Sequence, residues 1–188
     1  MKRNKVKIIS RIIYVIYAVV LIYLILQSDF LNIVVGILSL IGIAFLVWMN
    51  KKYNRLFNDS ITCILIVFIM VALLFGTCLN FYDINHYDDF LHIWSGFIGC
   101  SIAYLIFDCF AESEIDTKRK TVFFLIYMFM FSMGVASIWE LIEFGMDKYL
   151  GFNCQAGGLG DTMIDIFDGF IGSFIMTWYY YFKIKNDD

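Results

Sequence analysis

The sequence predicts an all-α polytopic membrane protein, a six-transmembrane-helix bundle with both termini in the cytoplasm. Three observations support this: the apolar content, its division into membrane-length blocks, and the positions of the basic residues. Of the 188 residues, 61% are hydrophobic, and the mean hydropathy is +0.77, whereas soluble domains are about 45–50% apolar. Strand-like alternation is not visible, so helices are favoured over a barrel.

Six apolar blocks are long enough to cross the membrane, because a hydrocarbon core of ~30 Å takes about 20 helical residues. They cover approximately residues 12–27, 30–49, 61–79, 90–110, 121–144 and 162–182. The connections are too short for a soluble domain, so residues 1–188 are predicted to form a single integral membrane domain. The first block lacks a small-residue cleavage signature, which favours a retained signal anchor over a signal peptide.

The basic residues predict the orientation of the helices. Every Lys and Arg except Lys148 lies in the N-terminal tail, the second and fourth connections, or the C-terminal tail. The positive-inside rule assigns these segments to the cytoplasm, which predicts a multi-pass protein of the cytoplasmic (inner) membrane with both termini inside. The basic N-terminal tail is expected to contact anionic membrane lipids, and nucleic-acid binding is not expected.

The acidic residues of the predicted outer side have almost no basic partners. Ten of the 17 Asp and Glu residues lie there, against Lys148 alone. Salt bridges cannot neutralise this set, so protons, bound cations or water must do so. Most of these acids lie at the outer ends of the fourth, fifth and sixth helices, in three motifs.

The first motif is at the start of the fourth helix, where Asp88 and Asp89 lie four and three residues before His92. Either aspartate can therefore share a helix face with the histidine. The second motif is at the end of the fifth helix, where Glu140 and Glu143 share a face. Alternatively, the two aspartates are interfacial residues favoured by the helix dipole, and His92 is a buried structural hydrogen-bonding group.

The third motif opens the sixth helix, where Asp161, Asp165 and Asp168 fall on one stripe. Asp161 also suits the N-cap position of this helix. At ~1.5 Å per residue, the three motifs lie at similar depth in the outer part of the membrane. Because ionised groups are costly in lipid, they are expected to face one another or a water-filled cavity, as one site.

Carboxylates with one imidazole suit a hard or borderline divalent cation of unknown identity. The predicted metal ligands are His92, Asp89, Asp165, Asp168 and Asp161. The predicted catalytic acid or base groups, which are also possible ligands, are Glu140, Glu143 and Asp88. Such a site would act on a lipid-linked or envelope substrate; without a metal, the same groups could carry protons in a cation or proton transporter.

A third interpretation is a non-catalytic membrane partner of a larger complex, or a homo-oligomer. The glycine-rich connection, residues 151–161, predicts a flexible loop, with a lid over the site as the alternative. The five cysteines form no CxxC motif, although Cys78 and Cys154 both fall on the predicted outer side.

The order of the three motifs resembles that of the YjdF-type family of bacterial inner-membrane proteins and, more loosely, that of the VanZ-like family. The matching residues are Asp88-x-x-x-His92, Trp139-Glu140-x-x-Glu143, and Asp161-Thr162-x-x-Asp165 with Gly169 and Gly172. The resemblance covers about residues 80–175 and implies a small helical bundle, but no reaction. VanZ-like proteins are associated with resistance to teicoplanin-type antibiotics. That activity is not expected here, because Asp89 replaces a usual lysine and Glu143 a usual glutamine.

Overall fold

The computed structural model describes residues 4–110, 118–152, 154–155 and 157–187. Within these ranges the chain forms helices and no strand, so the predicted all-α class is confirmed. The helices are α1 (Asn4–Leu26), α2 (Phe30–Lys52), α3 (Asp59–Ile69), α4 (Tyr87–Phe110), α5 (Lys118–Leu150) and α6 (Leu159–Asp187). A π-helical segment, Met70–Cys78, continues α3, and a short 3₁₀ turn, Phe81–Asp83, precedes α4.

Five of the helices in the described ranges are long and apolar enough to cross a membrane. These segments are Lys5–Leu26, Phe30–Lys52, Asp59–Cys78, Tyr87–Phe110 and Lys120–Tyr149. The helix α6 is not among them, although it has 29 residues. Its aspartates and its run of tyrosines lower its hydropathy, so the sixth span remains a prediction.

Several helices extend beyond their apolar blocks. The helix α1 begins at Asn4, earlier than predicted, because the Lys and Arg residues of the tail are good helix formers and no proline interrupts them. The helix α5 continues past the predicted end at 144 to Leu150. Since α6 begins at Leu159, Asp161 lies within its first turn, and the N-cap interpretation of Asp161 is wrong.

The chain divides into two compact units, residues 1–87 and 88–188. In the first unit, α1, α2 and α3 with its π-helical extension surround an apolar core that includes Tyr17, Ile43, Ile66 and Leu74. Side-chain caps start two of these helices. The Asp29 carboxylate accepts the backbone N–H of Asn32, and the Asn58 side chain accepts those of Ser60 and Ile61.

In the second unit, α4, α5 and α6 meet along a layer of small residues. A Cβ atom on Gly96 of α4 would lie only 2.6 Å from the carbonyl oxygen of Gly169 of α6. A Cβ atom on Gly172 would collide with the backbone carbonyl of Ile93. The buried Ser132 hydroxyl of α5 donates to the Gly96 carbonyl oxygen at 2.9 Å. Small residues and interhelical hydroxyl bonds are the usual means of helix association in lipid.

The close contact between α4 and α6 can be tested with a matched pair of glycine variants. Gly172→Ala should destabilise the protein by about 1–3 kcal/mol, because the added methyl group has no space. Gly134→Ala should be neutral or stabilising by up to about 1 kcal/mol, since nothing lies within 4 Å of its Cβ position. Thermal unfolding in detergent measures both changes. Equal unfolding midpoints for the two variants would contradict this packing.

Candidate functional site

His92 lies at the centre of the polar groups in the second unit. The side chain is buried, and both ring nitrogens face carboxylates. Its Nε2 atom is 3.5 Å from Asp88 Oδ1, one turn earlier on α4, and 3.8 Å from Asp165 Oδ1 on α6. Its Nδ1 atom is 3.8 Å from Glu140 Oε1 on α5. Three helices therefore bring four of the sequence-predicted residues together.

The layer of small residues explains this convergence. Gly96 follows His92 by one helical turn, Gly169 follows Asp165 by one turn, and Ala136 precedes Glu140 by one turn. A Cβ atom on Gly169 would lie 3.2 Å from Ala136 Cβ. Because residues four apart lie on one helix face, the small residues that let the helices approach also point the polar side chains at one another.

Glu140 and Asp165 are deeply buried, with 4% and 3% of their surface exposed. Among the described residues, no group donates a hydrogen bond to either oxygen of the Glu140 carboxylate. Buried charges are normally paired, hydrogen-bonded or bound to a metal. At 3.8 Å, His92 Nδ1 is within ion-pair distance but beyond hydrogen-bond distance, so the described residues leave this buried carboxylate without a hydrogen-bond donor.

Glu143 lies one turn outward from Glu140 and is half-buried. One of its oxygens accepts a hydrogen bond from the Trp139 indole Nε1 at 2.7 Å. One ligand atom each from Glu140, Glu143 and Asp165 lies within 4.8 Å of the other two. A second such group consists of Asp88, His92 and Asp165.

The other three predicted ligands lie outside these two groups, as far as the described residues extend. Asp89 is partly buried beside Asp88, and Asp161 is partly buried in the first turn of α6. Asp168 is 8% exposed and follows Asp165 by about one turn. The spacing rule allowed either aspartate of α4 to face His92, and the structure pairs Asp88 with it.

Asp147, a residue without a role predicted from the sequence, holds the connection between α5 and α6 in place through hydrogen bonds. The Asp147 carboxylate accepts the backbone N–H groups of Cys154 and Gln155, at 2.6 and 2.8 Å. The Gln155 side chain donates to the Glu140 carbonyl oxygen at 3.4 Å and to the Thr162 hydroxyl at 2.7 Å. Spacing could not predict these bonds, since backbone N–H donors are available at almost any residue.

A cleft of about 760 Å³ lies between α5 and α6 beside Glu140. The connection contributes Gln155 and Gly158 to its wall. Its apolar lining comes from Leu141, Phe144, Leu159 and Ile166, and Lys148 lies among the lining residues. The cleft therefore joins the buried Glu140 carboxylate to an apolar surface that also carries one basic and one acidic residue, Lys148 and Asp147.

The profile of a family described as "Predicted membrane protein (DUF2238)" matches residues 9–186. The chain belongs to the DUF2238 family. The match extends over all six helices, and with the five apolar helices it makes this DUF2238 chain a membrane protein.

A relative of this DUF2238 protein from Thermotoga maritima, described as an uncharacterized protein, is 33% identical over 115 residues. The alignment covers 57% of this chain and 55% of the relative, so the chain spans about half the length of that protein. No solved structure matches the chain.

All five cysteines of this DUF2238 protein are free thiols, including Cys78 and Cys154. Cys154 lies in the connection between α5 and α6. Burial, and then the neighbouring Asp147 carboxylate, raise the pKa of its thiol to about 11. The neutral thiol is therefore the form present at physiological pH.

The reactivity of Cys154 reports on this connection. In a variant with the other four cysteines replaced by alanine, alkylation at pH 8 should be about 100-fold slower than for an ordinary cysteine, because only the thiolate reacts. The rate should still be rising above pH 10. Asp147→Asn should accelerate the reaction, since it removes the negative charge. A rate that levels off near pH 9 would contradict the observed contacts of Cys154 and Asp147.

Proposed function

We propose that this DUF2238 protein is a YjdF-type inner-membrane enzyme that hydrolyses a lipid-linked envelope substrate at a divalent-cation site. The observation that carries the proposal is the convergence of Asp88, Glu140 and Asp165 on His92 from three different helices. A purely structural histidine would need one or two partners, not three carboxylates in a mostly apolar protein.

The proposed topology has six spans, including α6, with both termini in the cytoplasm. The site residues lie near the N-termini of α4 and α6 and the C-terminal part of α5. In an up-and-down arrangement these ends share one side of the membrane, and the basic segments assign the other side to the cytoplasm. The site then faces outward, where envelope precursors are processed.

This topology predicts opposite accessibility of two exposed connections. Asn54 follows α2, and Asn85 precedes α4. In intact cells, a membrane-impermeant maleimide should label an Asn85→Cys variant and should label an Asn54→Cys variant only after permeabilisation. The comparison uses a background without the native cysteines. Labelling of both positions in intact cells would contradict the proposed topology.

A bound cation is favoured by the charge of the site. Lys148 is the sole Lys or Arg residue in the sequence on the proposed outer side, and its Nζ atom lies over the rings of Phe144 and Tyr149, at 5.3 and 5.6 Å from their centroids. One histidine cannot neutralise three buried or partly buried carboxylates, and uncompensated buried charge is costly. Carboxylate oxygens with one imidazole suit Mg²⁺, Mn²⁺ or Zn²⁺.

The cleft beside Glu140 favours an amphiphilic substrate. Its apolar lining suits a hydrocarbon chain. An anionic group such as a phosphate would be held by Lys148 together with a cation bound to the carboxylates, since Glu140 and Asp147 also line the cleft. A soluble substrate would gain little from a lining of this composition. A polyprenyl diphosphate combines the two chemical features and is our representative of the substrate class.

The proposed reaction consumes one water molecule. A divalent cation held by Asp88, His92, Glu140 and Asp165 would make a bound water nucleophilic at neutral pH and would polarise the phosphoryl oxygen. The water oxygen bonds to the phosphorus while the bond from phosphorus to the bridging oxygen breaks. The proton leaves the water through an adjacent carboxylate and reaches the leaving oxygen or solvent. Polyprenyl diphosphate and water thereby give polyprenyl phosphate and inorganic phosphate.

Transport of cations or protons is less favoured than hydrolysis. A transporter needs a polar path from the site to the opposite side. One turn below the site, the described residues are the closely packed Gly96, Gly169 and Ala136, with Ser132 donating to a backbone carbonyl. This packing favours a site that opens on one side only.

The test is phosphate release from a polyprenyl diphosphate by purified protein in detergent with Mn²⁺. We expect chelation to abolish release and Asp165→Asn to reduce it at least 100-fold, because Asp165 belongs to both groups of ligand atoms. Asp83→Asn, which removes the same charge from an exposed turn, is the matched control and should retain activity. Inorganic diphosphate, which lacks the chain, should be a poor substrate.

Release that survives chelation, or an Asp165→Asn variant as active as the control, would contradict the proposed function. A folded wild-type protein that binds Mn²⁺ but releases no phosphate would also contradict hydrolysis, and would favour the partner interpretation. Unfolding midpoints of both variants show whether a loss of activity reflects a loss of fold.

A further inference from the structure

Asp165 belongs to both groups of potential metal ligands. One group is Asp88, His92 and Asp165; the other is Glu140, Glu143 and Asp165. Within each group the ligand atoms lie within 4.8 Å of one another. A first-row divalent cation binds oxygen and nitrogen at about 2.0–2.2 Å, so small side-chain shifts bring either group to coordination distance. Two adjacent ligand sets that share a carboxylate are typical of a two-metal centre.

The two ring nitrogens of His92 face different ligand groups. Its Nε2 atom faces Asp88 and Asp165, the other members of the first group. Its Nδ1 atom faces Glu140, a member of the second group. If Nε2 binds a metal, Nδ1 carries the proton and is directed at the Glu140 carboxylate. A metal-bound histidine that donates its other N–H to a carboxylate is a recurrent arrangement.

Glu140 provides an independent indication of a second ion. Its side chain is 5% exposed, and no described residue donates a hydrogen bond to either carboxylate oxygen. The Asp147 carboxylate, on the same helix, accepts two backbone N–H groups. The connection after α5 therefore supplies backbone donors to one carboxylate of this helix, whereas Glu140, the more deeply buried of the two, receives no hydrogen bond from the described residues.

The charge of the two groups also favours two ions. Asp88, Glu140, Glu143 and Asp165 carry four negative charges when ionised. One divalent cation leaves two of these charges uncompensated in a mostly apolar surrounding, whereas two divalent cations balance all four. A neutral centre can also accept an anionic phosphate, which the free carboxylates would repel.

We infer that the site holds two divalent cations about 3.5–4 Å apart, bridged by the Asp165 carboxylate. This inference rests on the proposed function and specifies its site. The first cation is bound by His92 and Asp88, and the second by Glu140 and Glu143. The three protein ligands of each ion leave positions for water and for the substrate phosphate. The mixed nitrogen and oxygen set suits Mn²⁺ or Zn²⁺, and the all-oxygen set suits Mg²⁺ or Mn²⁺.

The test is the number of Mn²⁺ ions bound per chain, measured by elemental analysis after metal-free protein is loaded and excess ion is removed. We expect two ions per chain in the wild-type protein and in Asp83→Asn. Electron paramagnetic resonance should show an exchange-coupled pair in place of the isolated-ion spectrum.

Variants assign the ions to their ligands. His92→Gln and Glu143→Gln remove ligands unique to one ion, so each should retain one Mn²⁺ with an isolated-ion spectrum. Asp165→Asn should lower the affinity of the protein for both ions by at least 10-fold. Unfolding midpoints of the metal-free variants separate loss of a ligand from loss of the fold.

The possible stoichiometries distinguish failure of this inference from failure of the proposed function. One ion per wild-type chain would overturn the two-metal inference and leave a single-metal hydrolase possible. No bound ion would overturn both. Two coupled ions without phosphate release would support the centre and overturn the hydrolytic function. Because the wild-type count decides the main question, the test does not depend on any variant folding.

Discussion

The close approach of α4, α5 and α6 at small residues is the constraint on which the site depends. In lipid, apolar side chains gain little from leaving one apolar surrounding for another, so packing and interhelical hydrogen bonds hold helices together. Gly96, Gly169 and Ala136 provide the close packing, and Ser132 provides a hydrogen bond between α5 and α4. Because each of the three small residues lies one turn from His92, Asp165 or Glu140, packing and site geometry are set together.

This arrangement brings together carboxylates of which two, Glu140 and Asp165, are deeply buried. His92 approaches three carboxylates but forms no short bond to Asp165 or Glu140, which are 3.8 Å away. By contrast, Asp147 is satisfied by the backbone of the connection. The same end of the protein thus contains one carboxylate used to anchor a loop and others without such bonds. The proposed cations would stabilise the second kind, and the adjacent cleft would give the proposed substrate access to them.

Much of the fold follows from the sequence, since membrane-length apolar blocks predict helices that local propensity alone would leave uncertain. The i, i+4 spacing of Asp88 and His92 likewise predicts their shared face. The sequence could not show that Asp88 rather than Asp89 faces His92, because helix rotation is set by tertiary packing. The Gln155 bonds could not be predicted either, because one goes to a backbone carbonyl and the other joins the connection to α6. The aspartates of α6 allow candidate ligands to be predicted from the sequence. The same aspartates lower the hydropathy of α6, so that it is not recognised as a membrane span.

The central claim is that His92 and carboxylates from three helices form a metal centre. X-ray absorption spectroscopy of Mn²⁺-loaded protein in detergent tests it most directly, because it reports which atoms surround the metal. The account predicts a first shell of oxygen and nitrogen only, with scattering from an imidazole that disappears in His92→Gln. Sulfur in the first shell, or an imidazole signal unchanged in His92→Gln, would contradict it.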